Sequence, residues 1–377
     1  MPLCSVIPPY ILRSIAERGD DDDRVRALAA LSMSAQPRRE RQVAALVAGV
    51  LLVPRRVKTR TVFDAQHGRE LPGRIVRTEG SARSRDAAAD EAYELAGRTY
   101  DYFRRVHDRR SLDDRGLRLE STVHYGNAFN NAHWNGRQMI YGDGDGKYFH
   151  RFTASIDIVA HELTHGLTQY AAALGFSGQC GALAEHFSDV FGTLVKQYWR
   201  NETASRADWN IGAELLTPRV RGVAIRSMKA PGTAYDDRVL GLDPQPSHMR
   251  DYVKTSSDDR GVHINSGIPN HAFYRVATLL GGHAWETAGR IWYRALTNEL
   301  GPRSRFQHCA DATWRAAGEL FGSGSAPQEA VLAGWKAVGI DVSVAVVSGG
   351  NTRIRVRKSA RDTYEVPAAA AEVPLLL

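Results

Sequence analysis

The chain has 377 residues, 43% of them apolar, and a formal charge of +7, enough material for a sizeable core and two lobes. Its basic excess is uneven: residues 1–60 carry 11 Lys+Arg against 6 Asp+Glu and residues 341–377 carry 5 against 4, so the long stretch between is close to neutral and offers no nucleic-acid footprint. Cys4, Cys180 and Cys309, far apart and odd in number, exclude a disulfide framework.

Residues 1–55 form a unit of their own. The start lacks a basic cluster and a useful apolar run, and Pro8-Pro9 interrupts it, so no secretory signal is read and the chain is expected to fold in the cytoplasm. The acidic knot Asp20-Asp21-Asp22-Asp23 precedes a helix predicted from Arg24 to about Met33. Residues 36–41 are polar and read as an exposed, solvated linker, a sensible place for processing. The longest apolar run, residues 43–53, is too short to span a bilayer, so no membrane partner is expected. Residues 56–154 read as strand-rich, interrupted by a helix from about Asp86 to Arg105, and residues 155–341 as mostly helical. In the last stretch, 342–377, two β-branched runs flank Ser348-Gly349-Gly350-Asn351, the pattern of a hairpin, before an Ala-rich tail that reads as disordered. There are no internal repeats.

The chemistry is concentrated in His161-Glu162-Leu163-Thr164-His165. Two His four apart on a helix share a face and can reach one metal ion, while Glu162 is offset by about 100° and available as a general base. Apolar Ile156, Val159, Ala160, Leu163, Leu167 and Tyr170 supply the stripe of a buried helix. A second such stripe, Leu183, Phe187, Val190, Phe191, Leu194 and Tyr198, carries Glu185 and Asp189 on one face. Glu185 completes a His₂Glu set with an open fourth position, the pattern of a catalytic zinc. Asp189 is the supporting carboxylate. The bland alternative is two amphipathic helices with incidental His and Glu. With that set complete, His133, His150, His186 and His283 are read as surface or packed residues.

The chain resembles the thermolysin family of bacterial neutral metalloproteases from about Val62 to Asp341. The resemblance rests on the zinc motif, on Asn130-Asn131-Ala132-His133-Trp134-Asn135-Gly136, on Met139-Ile140-Tyr141-Gly142-Asp143-Gly144-Asp145-Gly146, on Arg226-Ser227-Met228 and on Gly261-Val262-His263-Ile264-Asn265-Ser266-Gly267. The N-terminal Cys4-Ser5-Val6-Ile7-Pro8-Pro9-Tyr10-Ile11-Leu12 and the insert at 229–237 are similar to the protealysin-like branch, which makes 1–55 a prosegment. The resemblance implies an α+β, two-lobe zincin with the zinc helix on the cleft floor. It implies a secreted endopeptidase, exported by a non-classical route, that removes its own prosegment; a monomer is expected. One zinc would be held by His161, His165 and Glu185, with Glu162 as base. His263 and Arg226 would stabilise the oxyanion and grip the substrate carbonyl, and Asp258 would orient His263. Asn131 and Ala132 would bind extended peptide on an edge strand. Phe149, Phe152, Ile158, Ile211, Leu215 and Ile225 match the pocket after the scissile bond, which predicts cleavage before bulky hydrophobic residues; ordinary core is the other reading of these six.

The chain departs from the family in three respects. Phe176 stands where the family usually has a Tyr hydroxyl reaching the oxyanion, and Ala184 where an Asn is usual just before the Glu ligand. Lys196 replaces a bridging Glu of the calcium pair, and Asn210 and Ala213 replace other oxygen ligands, with Asp157 and Asp208 retained. At most one calcium is expected there. These losses motivate a second class of function, a catalytically weakened zinc protein that holds peptide without cutting it. Intact Glu162, His263 and Arg226 favour the peptidase. Cys4 could cap the zinc as a thiolate, but a small buried anchor beside Pro8-Pro9 is the preferred reading.

Overall fold

The computed structural model describes residues 5–35 and 57–343. Cys4, the linker at 36–41, the apolar run at 43–53, and the hairpin and tail beyond residue 343 lie outside the described residues.

Two helices open the chain. Helix α1 (Pro9–Arg18) starts on a proline, whose missing N–H costs nothing in a first turn, and buries Ile11, Leu12, Ile15 and Ala16. Helix α2 (Asp21–Ala35) begins three residues before the predicted start, because the acidic knot is its capping device. The Asp23 N–H donates to Asp20 Oδ1 at 3.0 Å and the Asp20 N–H to Asp23 Oδ2 at 3.1 Å, so each Asp satisfies an orphan donor of the other. No helix is predicted over α1; its start is concealed by two prolines.

The strand-rich lobe holds one five-stranded mixed sheet. Its strands β1 (Arg60–Asp64), β2 (Arg74–Thr78), β3 (Leu119–Val123), β4 (Ala132–Trp134) and β5 (Met139–Tyr141) lie in the order β2-β1-β3-β5-β4. The parallel pairs are β1–β3 and β3–β5, and both outer pairs are antiparallel. Helix α3 (Ala87–His107) packs against this sheet, N-capped by Asp86 and ended by Asp108 in the left-handed region (φ 53°). Strand β4 is the sheet's edge, and there Ser5 forms an antiparallel bridge to His133.

The helical lobe follows as α4 (Ile156–Ala171), α5 (Gly178–Arg200), α6 (Asp258–Asn265), α7 (Gly267–Leu280), α8 (Ala288–Asn298), α9 (Phe306–Phe321) and α10 (Ala326–Ala337). Its core includes the fully buried Trp209, Trp292 and Trp335, and Trp134 is buried on the sheet side. Helices α4 and α5 pack closely along their length. Gly192 permits this: a Cβ there would lie 2.6 Å from the Asp157 carbonyl oxygen and 3.4 Å from His161 Cβ. The fold is therefore α+β with two lobes, and the crossing of α4 and α5 positions the site.

Candidate active site

Helix α4 presents His161 and His165 one turn apart, and α5 brings Glu185 against them. The two Nε2 atoms are 3.2 Å apart, and each lies 3.5 Å from a Glu185 oxygen. A tetrahedral zinc with bonds of about 2.0–2.2 Å needs ligand edges of roughly 3.3 Å, so these three atoms already surround an ion-sized point. Both Glu185 oxygens are buried without a hydrogen-bond donor. Burial pushes this carboxyl up, but His263, His165 and His161 outweigh it and hold it well below the usual carboxylate range. A buried carboxylate facing imidazole nitrogens fits a metal cation.

The supporting groups fix the tautomers. His161 Nδ1 is 2.8 Å from Asp189 Oδ1, so its proton sits there and Nε2 faces the other ligands. Asp189 also accepts two bonds from Arg226, at 2.8 and 2.9 Å, and one from Asn270 Nδ2 at 2.9 Å. Burial raises the Asp189 carboxyl, and Arg226 and His161 more than reverse that, leaving it well below its ordinary value. The network continues outward: Trp292 N–H donates to His186 Nε2 at 2.8 Å, and His186 Nδ1 bonds Asn270 Oδ1 at 2.8 Å. Burial pushes the His186 imidazole down to about 4, so it stays neutral and orients the Asn270 amide. Sequence reasoning sets His186 aside and does not single out Asn270 or Trp292. Asn270 lies three residues beyond the Gly261–Gly267 motif, the one available signal.

Glu162 is fully buried and accepts the Trp134 N–H at 2.9 Å, which ties it to the edge strand. On the far side, Asp258, Asp259, Arg260 and Gly261 all take positive φ, a left-handed turn merged into the start of α6. Such residues are strained, and Asp258 compensates. Its Oδ2 accepts the N–H groups of His263 and Ile264 at 2.8 and 3.2 Å, while Oδ1 lies 2.6 Å from His263 Nδ1. His263 Nε2 is thereby aimed at Glu185, 3.4 Å away.

Strand β4 carries an extended segment of the chain's own N-terminus. The Val6 N–H donates to the Ala132 carbonyl at 3.2 Å, and Arg226 Nη1 donates to the Val6 carbonyl at 3.1 Å. Asn131 accepts the Ile7 N–H at 2.9 Å and donates to the Ile7 carbonyl at 3.2 Å. Val6 and Ile7 are fully buried. Nearby, Ile225, Ile158 and Leu215 converge on Gly212, where a Cβ would lie 3.0, 3.3 and 3.4 Å from them. The Ile225 N–H bonds the Ile211 carbonyl, and the Phe149 and Phe152 rings are 6.2 Å apart. All six are buried, so burial alone does not separate pocket wall from core.

Away from these groups, Lys196 Nζ bonds Asp157 at 3.0 Å, Asp208 at 3.1 Å and the Asn210 carbonyl at 2.5 Å. An ammonium fills the space among these oxygens. Phe176 lies on the turn before α5 with its backbone against Gly181, and Ala184 is buried on α5. His133 and His186 are fully buried and His150 is exposed.

Three candidate ligands rather than four, beside a buried carboxylate, fit a hydrolytic zinc site. Comparison narrows the class. The thermolysin metallopeptidase catalytic domain matches residues 53–169, its alpha-helical domain matches 172–340, and the protealysin propeptide matches 4–32. An extracellular metalloprotease of Pectobacterium carotovorum subsp. carotovorum is 49% identical over 348 residues, covering 90% of this chain and 97% of the relative. Protease PrtS of Photorhabdus sp. (strain Az29) is 42% identical, over 89% and 92% of the two chains. The solved precursor of protealysin from Serratia proteamaculans superposes with a TM-score of 0.82 at 46% identity, covering 89% of this chain and 99% of that one. The chain belongs to the thermolysin family of metallopeptidases, in its protealysin-like branch. It is a zinc-dependent endopeptidase made as a zymogen.

Proposed function

We propose that His161, His165 and Glu185 hold the catalytic zinc and that Glu162, His263, Arg226 and Asp258 carry out the peptide hydrolysis. The zinc, when bound, supplies a Lewis acid that lowers the pKa of water and polarises a carbonyl. Glu162 takes the attacking water's proton and delivers it to the leaving nitrogen. Asp258 holds the Nδ1 proton of a doubly protonated His263, whose Nε2–H donates to the developing oxyanion, and Arg226 grips the substrate carbonyl. Asp189 positions both His161 and Arg226, so metal site and substrate grip share one carboxylate.

The observation that carries this reading is the Ser5–Ile7 segment on β4. Asn131, Ala132 and Arg226 hold it as they would an extended substrate, by strand addition. Through Ser5–Ile7 the prosegment, read as residues 1–55, is then a tethered occupant of the cleft, and the enzyme removes it itself. The catalytic part follows as 56–154 and 155–341, with 342–377 as an extension. Phe149, Phe152, Ile158, Ile211, Leu215 and Ile225 wall an apolar pocket for the residue after the scissile bond. Lys196 takes the place of one calcium beside Asp157 and Asp208, leaving at most one there. The relative named an extracellular metalloprotease supports secretion, by a non-classical route in our reading.

A series of quenched peptides differing only after the scissile bond tests the pocket. Leu and Phe are expected to exceed Gly and Asp by at least tenfold in kcat/KM; equal rates would assign the six residues to the core.

A further inference from the structure

The strand-rich lobe holds a second group of metal-ligating side chains. His67, His124 and Asp143 each direct one donor atom into a common space, all within 4.8 Å of one another. His124 Nδ1 is 2.9 Å from Asp143 Oδ2, and His67 Nδ1 is 3.5 Å from the same oxygen. These spacings bracket the roughly 3.3 Å edge of a tetrahedral zinc site. We propose that His67, His124 and Asp143 form a second site for a divalent transition ion of the zinc class, with water completing it.

Its surroundings have the order a metal site needs. A ligating His usually passes its other ring N–H to a carboxylate, and His124 Nε2 lies 2.7 Å from Asp86 Oδ2. Asp86 is itself fixed, since its Oδ1 accepts the N–H groups of Ala88 and Ala89 at the start of α3. His67 is 62% exposed, but its turn is held: its N–H donates to the His124 carbonyl at 2.9 Å, and the Gly126 N–H to Gly68 at 2.9 Å. Two imidazoles and a carboxylate select zinc-like ions over calcium or magnesium, which prefer all-oxygen sets. Arg151, the nearby cation, is engaged by Glu91. Without metal, His124 is held as an imidazolium that donates its Nδ1–H to Asp143 and its Nε2–H to Asp86, and the Nδ1 proton is the metal's competitor. Occupied, the site would clip the 64–68 turn to the Asp143 loop and, through Asp86, to α3.

The test is a metal count on the full chain. Apo protein is dialysed against micromolar free Zn²⁺ and the bound zinc is measured by mass spectrometry, with thermal melts in parallel. Wild type should hold two zinc ions, His67→Ala one, and His161→Ala one, and the second equivalent should raise the Tm of wild type but not of His67→Ala. His67 is exposed, so its removal leaves the fold intact. A count of one in wild type, or a second equivalent that survives in His67→Ala, would overturn the proposal.

Discussion

Arg226 shows how much one side chain is asked to do. Fully buried, it pairs with Asp189 through two hydrogen bonds and with the Val6 carbonyl through a third. Replacing it by Met leaves the Asp189 charge buried and short of its partner, which costs about 3–5 kcal/mol. Arg226→Met should therefore lower the unfolding free energy, measured by urea titration, and slow self-removal of the prosegment. Phe176 is a milder case. Removal of an oxyanion donor has cost roughly 10²–10³ in turnover, so Phe176→Tyr should raise kcat at least tenfold with KM nearly unchanged. An unchanged kcat would mean position 176 does not reach the reacting carbonyl. The cluster of His161, His165 and Glu185, with Glu162 beside it, is legible in sequence because two rows of side chains on helices suffice to align them. Asn270, His186 and Trp292 are not, because their roles arise from contacts 81 to 106 residues apart, which no local period encodes.

At the scale of elements, α4 and α5 are joined twice, by the site and by Lys196. Burial works against the Lys196 charge, but Asp157 and Asp208 keep it firmly protonated. Lys196→Met should destabilise by about 3–5 kcal/mol, since Asp157 is then buried alone. Lys196→Glu should be unstable without calcium and regain much of its Tm when calcium is added; the same melts on wild type should respond weakly. Prosegment docking has its own electrostatic clasp, Lys147 reaching Asp20 and Asp23 at 2.6 and 2.7 Å. The Asp20 carboxyl lies below its ordinary value, chiefly through the Lys147 hydrogen bond. A lowered folded pKa means the contact is fully present above about pH 3.8 and is lost as pH falls through the lower value. Hydrogen exchange over residues 9–35 should thus accelerate below pH 3.8 in wild type, and Lys147→Met should remove the difference. The acidic knot is misread in sequence as a prelude to α2 because a capping pair and a solvated run look alike until the chain closes on itself.

For the whole molecule, latency follows from geometry. The edge of the sheet that would accept a substrate strand already carries Ser5–Ile7, and the guanidinium that would grip a substrate carbonyl already holds Val6. The two lobes are legible from the change of apolar period near residue 155, and the zinc helix from its motif. Sequence alone does not place Ser5–Ile7 on β4, because a strand added from a distant segment leaves no periodic mark. The direct test is intact mass over time on the purified, zinc-loaded precursor beside Glu162→Ala. Wild type should shed about 40–60 N-terminal residues while the control stays whole. If neither changes, and wild type stays inert after an added protease trims it, the self-processing account is contradicted and the chain holds peptide without cutting it.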